Sequence, residues 1–269
     1  MLLARILTAI ILLPLILIAI IYAPPLYFAG IIAALILVGA WEWSSLIGLT
    51  KTIYKILYVI CVALGLFFSA FIVEFPIFLI AGLIWLWALM AIMHYQKNGS
   101  GAGFQIPALR AVIGFIILVS AGAALVALKA QPGYGPAWLI VALLITFAAD
   151  IGGYFAGRYF GKHALCSRVS PKKTWEGFAG GMVFSIVVAA VGGRFLPLSL
   201  QGYLCFLVLA LMTALFSVVG DLAVSLLKRM SGLKDSGKFF PGHGGMLDRL
   251  DSVAAAVVIF ILGAMLLGL

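Results

Sequence analysis

The sequence predicts an all-α integral membrane protein, a polytopic bundle of about nine transmembrane helices with the N-terminus in the cytoplasm. Three observations carry this. Hydrophobic residues make up 65% of the 269 positions and charged residues only 9%, with a mean hydropathy of +1.27. A soluble domain of that length cannot hide so much apolar surface. The apolar residues come in unbroken runs of about 20, which suits helices crossing a bilayer core and not barrel strands, where polar and apolar positions alternate. The basic residues, finally, divide unevenly between the connecting segments.

Taken in order, spans are expected at roughly 6–22, 26–47, 53–73, 76–94, 107–129, 136–156, 174–195, 202–228 and 250–268. Pro24-Pro25, Lys51, Glu74-Phe75-Pro76, Lys97 to Gly101, Gln131-Pro132-Gly133 and Leu196-Pro197 punctuate them. The first run is too long for a secretory leader and lacks a small-residue cleavage site, so it is expected to be a retained helix. Pro14 is placed to kink it. One membrane domain is expected over 1–269, with N-terminal helices over 1–130 and the helices and loops that carry the candidate site over 131–269.

Charge fixes the expected orientation. Nine spans put Arg5, Lys51, Lys55, Lys97, Arg110, Arg158, Lys162, Arg168, Lys172, Lys173, Lys228, Arg229, Lys234, Lys238 and Arg249 on one side, and leave only Lys129 and Arg194 on the other. The basic side is expected to face the cytoplasm and the C-terminus to face out. The net charge of +9 is thereby membrane-flanking charge, and no nucleic-acid partner is implied. Cys61, Cys166 and Cys205 are scattered, without disulfide or zinc spacing, and read as reduced thiols.

One stretch departs from the apolar background. Residues 225–251 hold Lys228, Arg229, Lys234, Lys238 and Arg249 against Asp235, Asp248 and Asp251, with His243 and five glycines (232, 237, 242, 244, 245) between them. Glycine lets a backbone approach a bulky anion. Cations beside a few carboxylates suit a metal–polyphosphate site. Two further carboxylates, Asp150 and Asp221, lie within apolar spans, where an ionisable group usually marks a site or pathway. Asp150 precedes Arg158 by eight residues and Asp221 precedes Lys228 by seven, so both sit roughly 10–12 Å below the cytoplasmic rim and point to one shared polar pocket.

The motifs resemble a known family. Ser225-x-Leu-Lys228-Arg229, Lys234-Asp235-x-Gly237 and Pro241-x-His243-Gly244-Gly245-x-x-Asp248-Arg249-x-Asp251 look like the signature of the phosphatidate cytidylyltransferases, or CDP-diacylglycerol synthases. Upstream, Asp150-x-Gly-Gly-Tyr154-x-x-Gly157-Arg158-x-x-Gly161-Lys162 and Ser170-Pro171-x-Lys173-Thr174-x-Glu176-Gly177 match as well. By motif the resemblance covers roughly 145–255. It implies a Mg²⁺-dependent, homodimeric membrane enzyme, with a second cation left open, that takes CTP and phosphatidate.

The residues themselves support a charge-clamping site. Asp221 and Asp248 are the first candidates for Mg²⁺, with Asp251 beside them, although an acid at a helix start also caps it. Lys228 and Arg249 are placed with them, and His243 stands as general acid, phosphate donor or loop hydrogen-bonder. Arg229, Lys234, Lys238, Gly244, Gly245 and Asp150 are expected around the substrates, and Asp235 is a ligand, cap or ion-pair partner. Ser170 and Thr174 are candidate N-caps of the seventh span, where exposed amides with Lys172 and Lys173 make an anion seat. A general base is not demanded, because a phosphate monoester is largely ionised at neutral pH. His94 and His163 are assigned no chemistry. In Trp41-Glu42-Trp43 the aromatics read as interface anchors, and nothing in the sequence assigns Glu42 a role. Another lipid phosphate as acceptor, or an ion-coupled transporter using Asp150 and Asp221 as a relay, are the competing readings.

Overall fold

The computed structural model describes residues 14–72, 74–100, 103–233, 236–237 and 244–269. Arg5, Lys234, Asp235, Lys238 and His243 lie outside them. Helical residues 14–22 form the described part of α1. There follow α2 (Pro25–Ile47), α3 (Thr52–Ser69), α4 (Glu74–Asn98), α5 (Pro107–Ala130), α6 (Gly135–Phe160), α7 (Trp175–Gly192), α8 (Leu200–Met230) and α9 (Leu247–Leu267). Eight of these, α2 to α9, are long and apolar enough to cross a membrane. The described boundaries fall within a few residues of expectation, and Pro or Gly marks most of them. Pro25, Pro107 and Pro136 sit in first turns, where a missing N–H costs nothing. Gly48 and Gly268 close α2 and α9 in the left-handed conformation.

One element was not expected. The segment between α6 and α7, read from sequence as a polar loop, pairs as an antiparallel hairpin of β1 (Ala164–Cys166) and β2 (Ser170–Thr174). Strands of three and five residues are too short for period-two alternation to show. Ser170 opens β2 and is therefore not a helix cap; Thr174 is, its Oγ1 accepting the Gly177 N–H at 3.1 Å.

The core runs along α5 and α9, the most buried spans. The broadest helix contact joins α6 to α7, and the next α8 to α9. Small residues set the first: Gly153 and Gly157 on α6 face Gly177 and Gly181 on α7, and a Cβ on Gly181 would stand 2.6 Å from the Ala149 carbonyl oxygen. At the second, Gly220 lies so close to the Asp251 carbonyl that a side chain would collide. Helices without a hydrophobic drive between them in lipid gain from this close van der Waals approach.

Contacts across the sequence gather one end of the bundle. Arg110 is buried, donating from Nη1 to the Leu46 carbonyl (2.9 Å) and Ser231 Oγ (3.1 Å) and from Nε to the Phe104 carbonyl. From sequence alone Arg110 is expected as a membrane-flanking charge. It is instead a strut joining the C-termini of α2 and α8, because a guanidinium offers five donors to the unpaired carbonyls found there. Trp43, expected at the interface, is 1% exposed and donates to the Arg110 carbonyl at 2.9 Å; Trp41, two positions away, faces outward. Gln96 at the end of α4 pairs with the backbone of Arg168 and the hydroxyl of Ser167 in the hairpin turn. At the other end, Lys129 donates to the Ala19 carbonyl (3.0 Å) and to that of Ala23, neutralising the C-terminus of α1.

Candidate active site

The C-termini of α6 and α8, the hairpin and the N-terminus of α9 meet at the end gathered by Arg110. Seven residues of helix place Asp221 below Lys228 on α8, and the hairpin returns Lys173 toward the bundle. Lys173 Nζ stands 2.6 Å from Asp221 Oδ2, both half-buried. Ser225, one turn along α8, donates to Asp221 Oδ1 at 3.3 Å. A second ion pair joins Lys228 Nζ to Asp248 Oδ1 at 2.7 Å, with side chains 14% and 15% exposed. The other oxygen of Asp248 accepts the N–H groups of Ser236 (3.2 Å) and Gly245 (3.0 Å). Gly244, at φ 82°, gives the turn that delivers Gly245 to it.

Asp251 lies one turn deeper in α9, 8% exposed, with Oδ1 accepting the Ser252 N–H at 2.8 Å. Ser252 Oγ donates to Asp150 Oδ2 at 3.3 Å, which ties α6 to α9. Asp150, Asp221 and Asp251 stand close enough to repel one another, and Lys173 and Lys228 attract them. The equal depth expected for Asp150 and Asp221 thus becomes one shared polar centre. Asp248 thus meets Lys228 and the amides of the loop before α9, while Asp251 faces inward.

The carboxylates here offer oxygen donors of the kind a divalent cation takes. Asp150, Asp221, Asp248 and Asp251 outnumber the two lysines that oppose them, and clustered carboxylates below a membrane surface favour a cation strongly. Among the described residues no group of three or more His, Cys, Asp or Glu side chains is placed to hold a metal ion. Mg²⁺ does not ask for one, since it takes one or two carboxylates and completes its shell with phosphate and water.

The remaining sequence candidates are spread around this centre. Arg229 is exposed and reaches the Val169 carbonyl at 3.4 Å, and Arg249 is exposed in the first turn of α9. Gly245 is buried with its N–H on Asp248. Lys172 is exposed on β2. Cys166 is buried beside Lys173; burial pushes its thiol pKa up, with Lys173 opposing, so it stays a thiol.

Two carboxylates that sequence reasoning left aside fasten the site. Glu176 Oε2 accepts the N–H groups of Lys162 (3.1 Å) and His163 (3.2 Å), and Oε1 meets His163 Nδ1 at 2.6 Å, so α7 clips the base of the hairpin. Glu42, 5% exposed on α2, accepts from Ser236 Oγ, Met246 N and Leu247 N at 2.8–3.0 Å. Its only sequence signal is a carboxylate near the end of an apolar span.

Residues 3–266 match the cytidylyltransferase family. The chain belongs to that family. It is 34% identical to the phosphatidate cytidylyltransferase of Haemophilus influenzae over 97% of both chains. To that of Pseudomonas aeruginosa it is 36% identical over 97% of this chain and 96% of the other. To that of Bacillus subtilis it is 42% identical over 44% of each. The family likeness therefore extends past the motif region of 145–255 through the N-terminal helices. Cations stand beside carboxylates where β2, α8 and α9 meet, Lys173 on Asp221 and Lys228 on Asp248. A relay transporter is expected to interrupt its helices at the binding site, whereas each of the eight spans here is continuous.

Proposed function

We propose that this chain transfers the cytidylyl group of CTP to phosphatidate, giving CDP-diacylglycerol and diphosphate. The observation that carries the reading is likeness over 97% of the chain to enzymes so named. The site geometry agrees with it. An oxygen of the lipid phosphate attacks the α-phosphorus of CTP, the bond from that phosphorus to the bridging oxygen breaks, and diphosphate leaves. Little covalent work falls to the protein, so positioning and charge stabilisation dominate.

In this reading Asp221, Asp248 and Asp251 hold Mg²⁺, with Asp150 beside them. When bound, the ion neutralises phosphate oxygens and draws charge from the leaving group. Lys173 and Lys228 rest on carboxylates in the free protein and turn to phosphates when substrates arrive. Arg229, Arg249, Lys234 and Lys238 hold the nucleotide phosphates, joined by Gly244, Gly245 and His243. The amides and hydroxyls of the hairpin, Ser170 and Thr174 among them, supply further donors. Asp150 and Asp221 lie about 10–12 Å along their helices from the basic rim, at headgroup depth, where a lipid phosphate meets a nucleotide without leaving the bilayer. The site faces the cytoplasm of a bacterial inner membrane, and the working unit is a homodimer.

Detergent-purified protein with Mg²⁺, CTP and phosphatidate is expected to release CDP-lipid and diphosphate in equal amounts. A chelator, or omission of the lipid, stops both. Folded protein that forms no nucleotide-lipid from a panel of lipid phosphates refutes the assignment.

A further inference from the structure

Glu42 lies on the half of the chain that carries none of the motif residues, yet its carboxylate reaches the loop that ends in Asp248. Oε1 accepts the Met246 N–H at 3.0 Å; Oε2 accepts the Leu247 N–H at 2.8 Å and the Ser236 hydroxyl at 2.9 Å. Helix α9 has no side-chain cap of its own, its N-cap residue Met246 being already helical at φ −63° and ψ −40°. Four N–H groups at a helix start need partners from elsewhere. Glu42 supplies two such bonds from another helix, with a charge the helix dipole favours. A Cβ on Gly237 or on Gly245 would collide with the Glu42 carboxylate, so those two glycines make room for it.

The link to Asp248 runs through shared residues. Ser236 gives its hydroxyl to Glu42 and its N–H to Asp248. Gly245, whose N–H also goes to Asp248, packs against the Glu42 carboxylate and is followed directly by the two amides that Glu42 holds. The carboxylate of Glu42 therefore sets where Ser236 and Gly245 stand, and these set the aim of Asp248 at Lys228. We infer that Glu42 is a positioning residue, which fixes the Asp248–Lys228 pair from α2 so that the pair meets the nucleotide. The inference rests on the reaction assigned under Proposed function.

Glu42→Gln tests it. Both carboxylate oxygens accept a backbone N–H, so an amide, in either orientation, turns an NH₂ group toward one donor. Two readouts are taken on wild type, Glu42→Gln and Ser236→Ala, all purified in detergent. Hydrogen exchange should quicken at Met246 and Leu247 in Glu42→Gln. The KM for CTP should rise about tenfold, the effect of losing one charge-assisted bond, while the KM for phosphatidate stays within about twofold. Ser236→Ala should raise the KM for CTP in the same direction by about threefold. Unchanged exchange and unchanged KM for CTP in Glu42→Gln overturn the inference. So does a fall in kcat with both KM values unchanged, the mark of a bundle that is merely less often folded. Should Glu42→Gln fail to fold, an unchanged KM for CTP in Ser236→Ala overturns it alone. Wild-type protein that forms no CDP-lipid refutes the reaction instead, and the exchange measurement still decides the anchoring.

Discussion

Lys228→Met offers the sharpest measurement on the site, because it separates the pair's structural share from its chemical one. Methionine keeps most of the lysine stem and removes the charge. The two side chains are 14% and 15% exposed, and the contact is 2.7 Å. With charge centres about 4 Å apart and an effective dielectric near 20, the attraction is about 4 kcal/mol. Desolvation of both groups offsets much of that. Asp248 also keeps the N–H groups of Ser236 and Gly245. The loss expected for Lys228→Met is therefore about 2–3 kcal/mol, at the low end for breaking a buried pair. Asp248→Asn should cost a similar amount by stranding Lys228. The double variant Lys228→Met with Asp248→Asn buries no unmatched charge and should regain about half or more of the loss, while turnover of CTP stays abolished in all three. Thermal unfolding in detergent, followed by tryptophan fluorescence, reads the first effect, and a CDP-lipid assay the second. A double variant no more stable than the worse single one, or single variants that melt with wild type, would falsify the claim that this pair is a coupled, half-buried unit.

Asp221→Asn should abolish turnover while the protein still inserts and folds, since Lys173 is left facing an amide that still accepts; near-normal activity at limiting Mg²⁺ contradicts the ligand assignment. Arg110→Met should be among the most destabilising changes outside the site, about 3 kcal/mol or more, because the carbonyls of Phe104 and Leu46 lose a donor in a buried place; a melting point within a degree of wild type argues against the strut. Thr174→Ala removes the cap of α7 and should cost about 1 kcal/mol, with a modest rise in KM rather than loss of kcat, measured in the same assays. In a background lacking Cys61 and Cys205, cysteines at positions 100 and 165 should react with an impermeant reagent only from the cytoplasm, while one added after Leu269 reacts from outside and buried Cys166 stays slow throughout; labelling of 165 in intact cells reverses the topology.

The membrane class and the helix boundaries were legible from residues alone. A span must be long and apolar because every backbone N–H and C=O has to be satisfied within it, and a Pro, Gly or charge must end it. That rule placed eight described spans within a few residues, and it made Asp150 and Asp221 candidates for a site, since a carboxylate within an apolar span is costly. The family signature in 225–251 likewise lies in consecutive residues, so its chemistry could be read without coordinates. The pairings could not. Lys173 meets Asp221 across 48 positions of sequence, Glu42 meets Leu247 across 205, and Arg110 meets Ser231 across 121. No local period encodes such distances; they exist only once α2, α5, α8 and α9 have packed. The same limit explains Trp43, whose neighbour Trp41 has the same composition cue and the opposite environment, because rotation about the helix axis is decided by what packs against it. It also explains Asp248 and Asp251: both belong to one helix start, and only the packing of α8 on α9, close at Gly220, decides which meets Lys228 and the preceding loop and which faces inward.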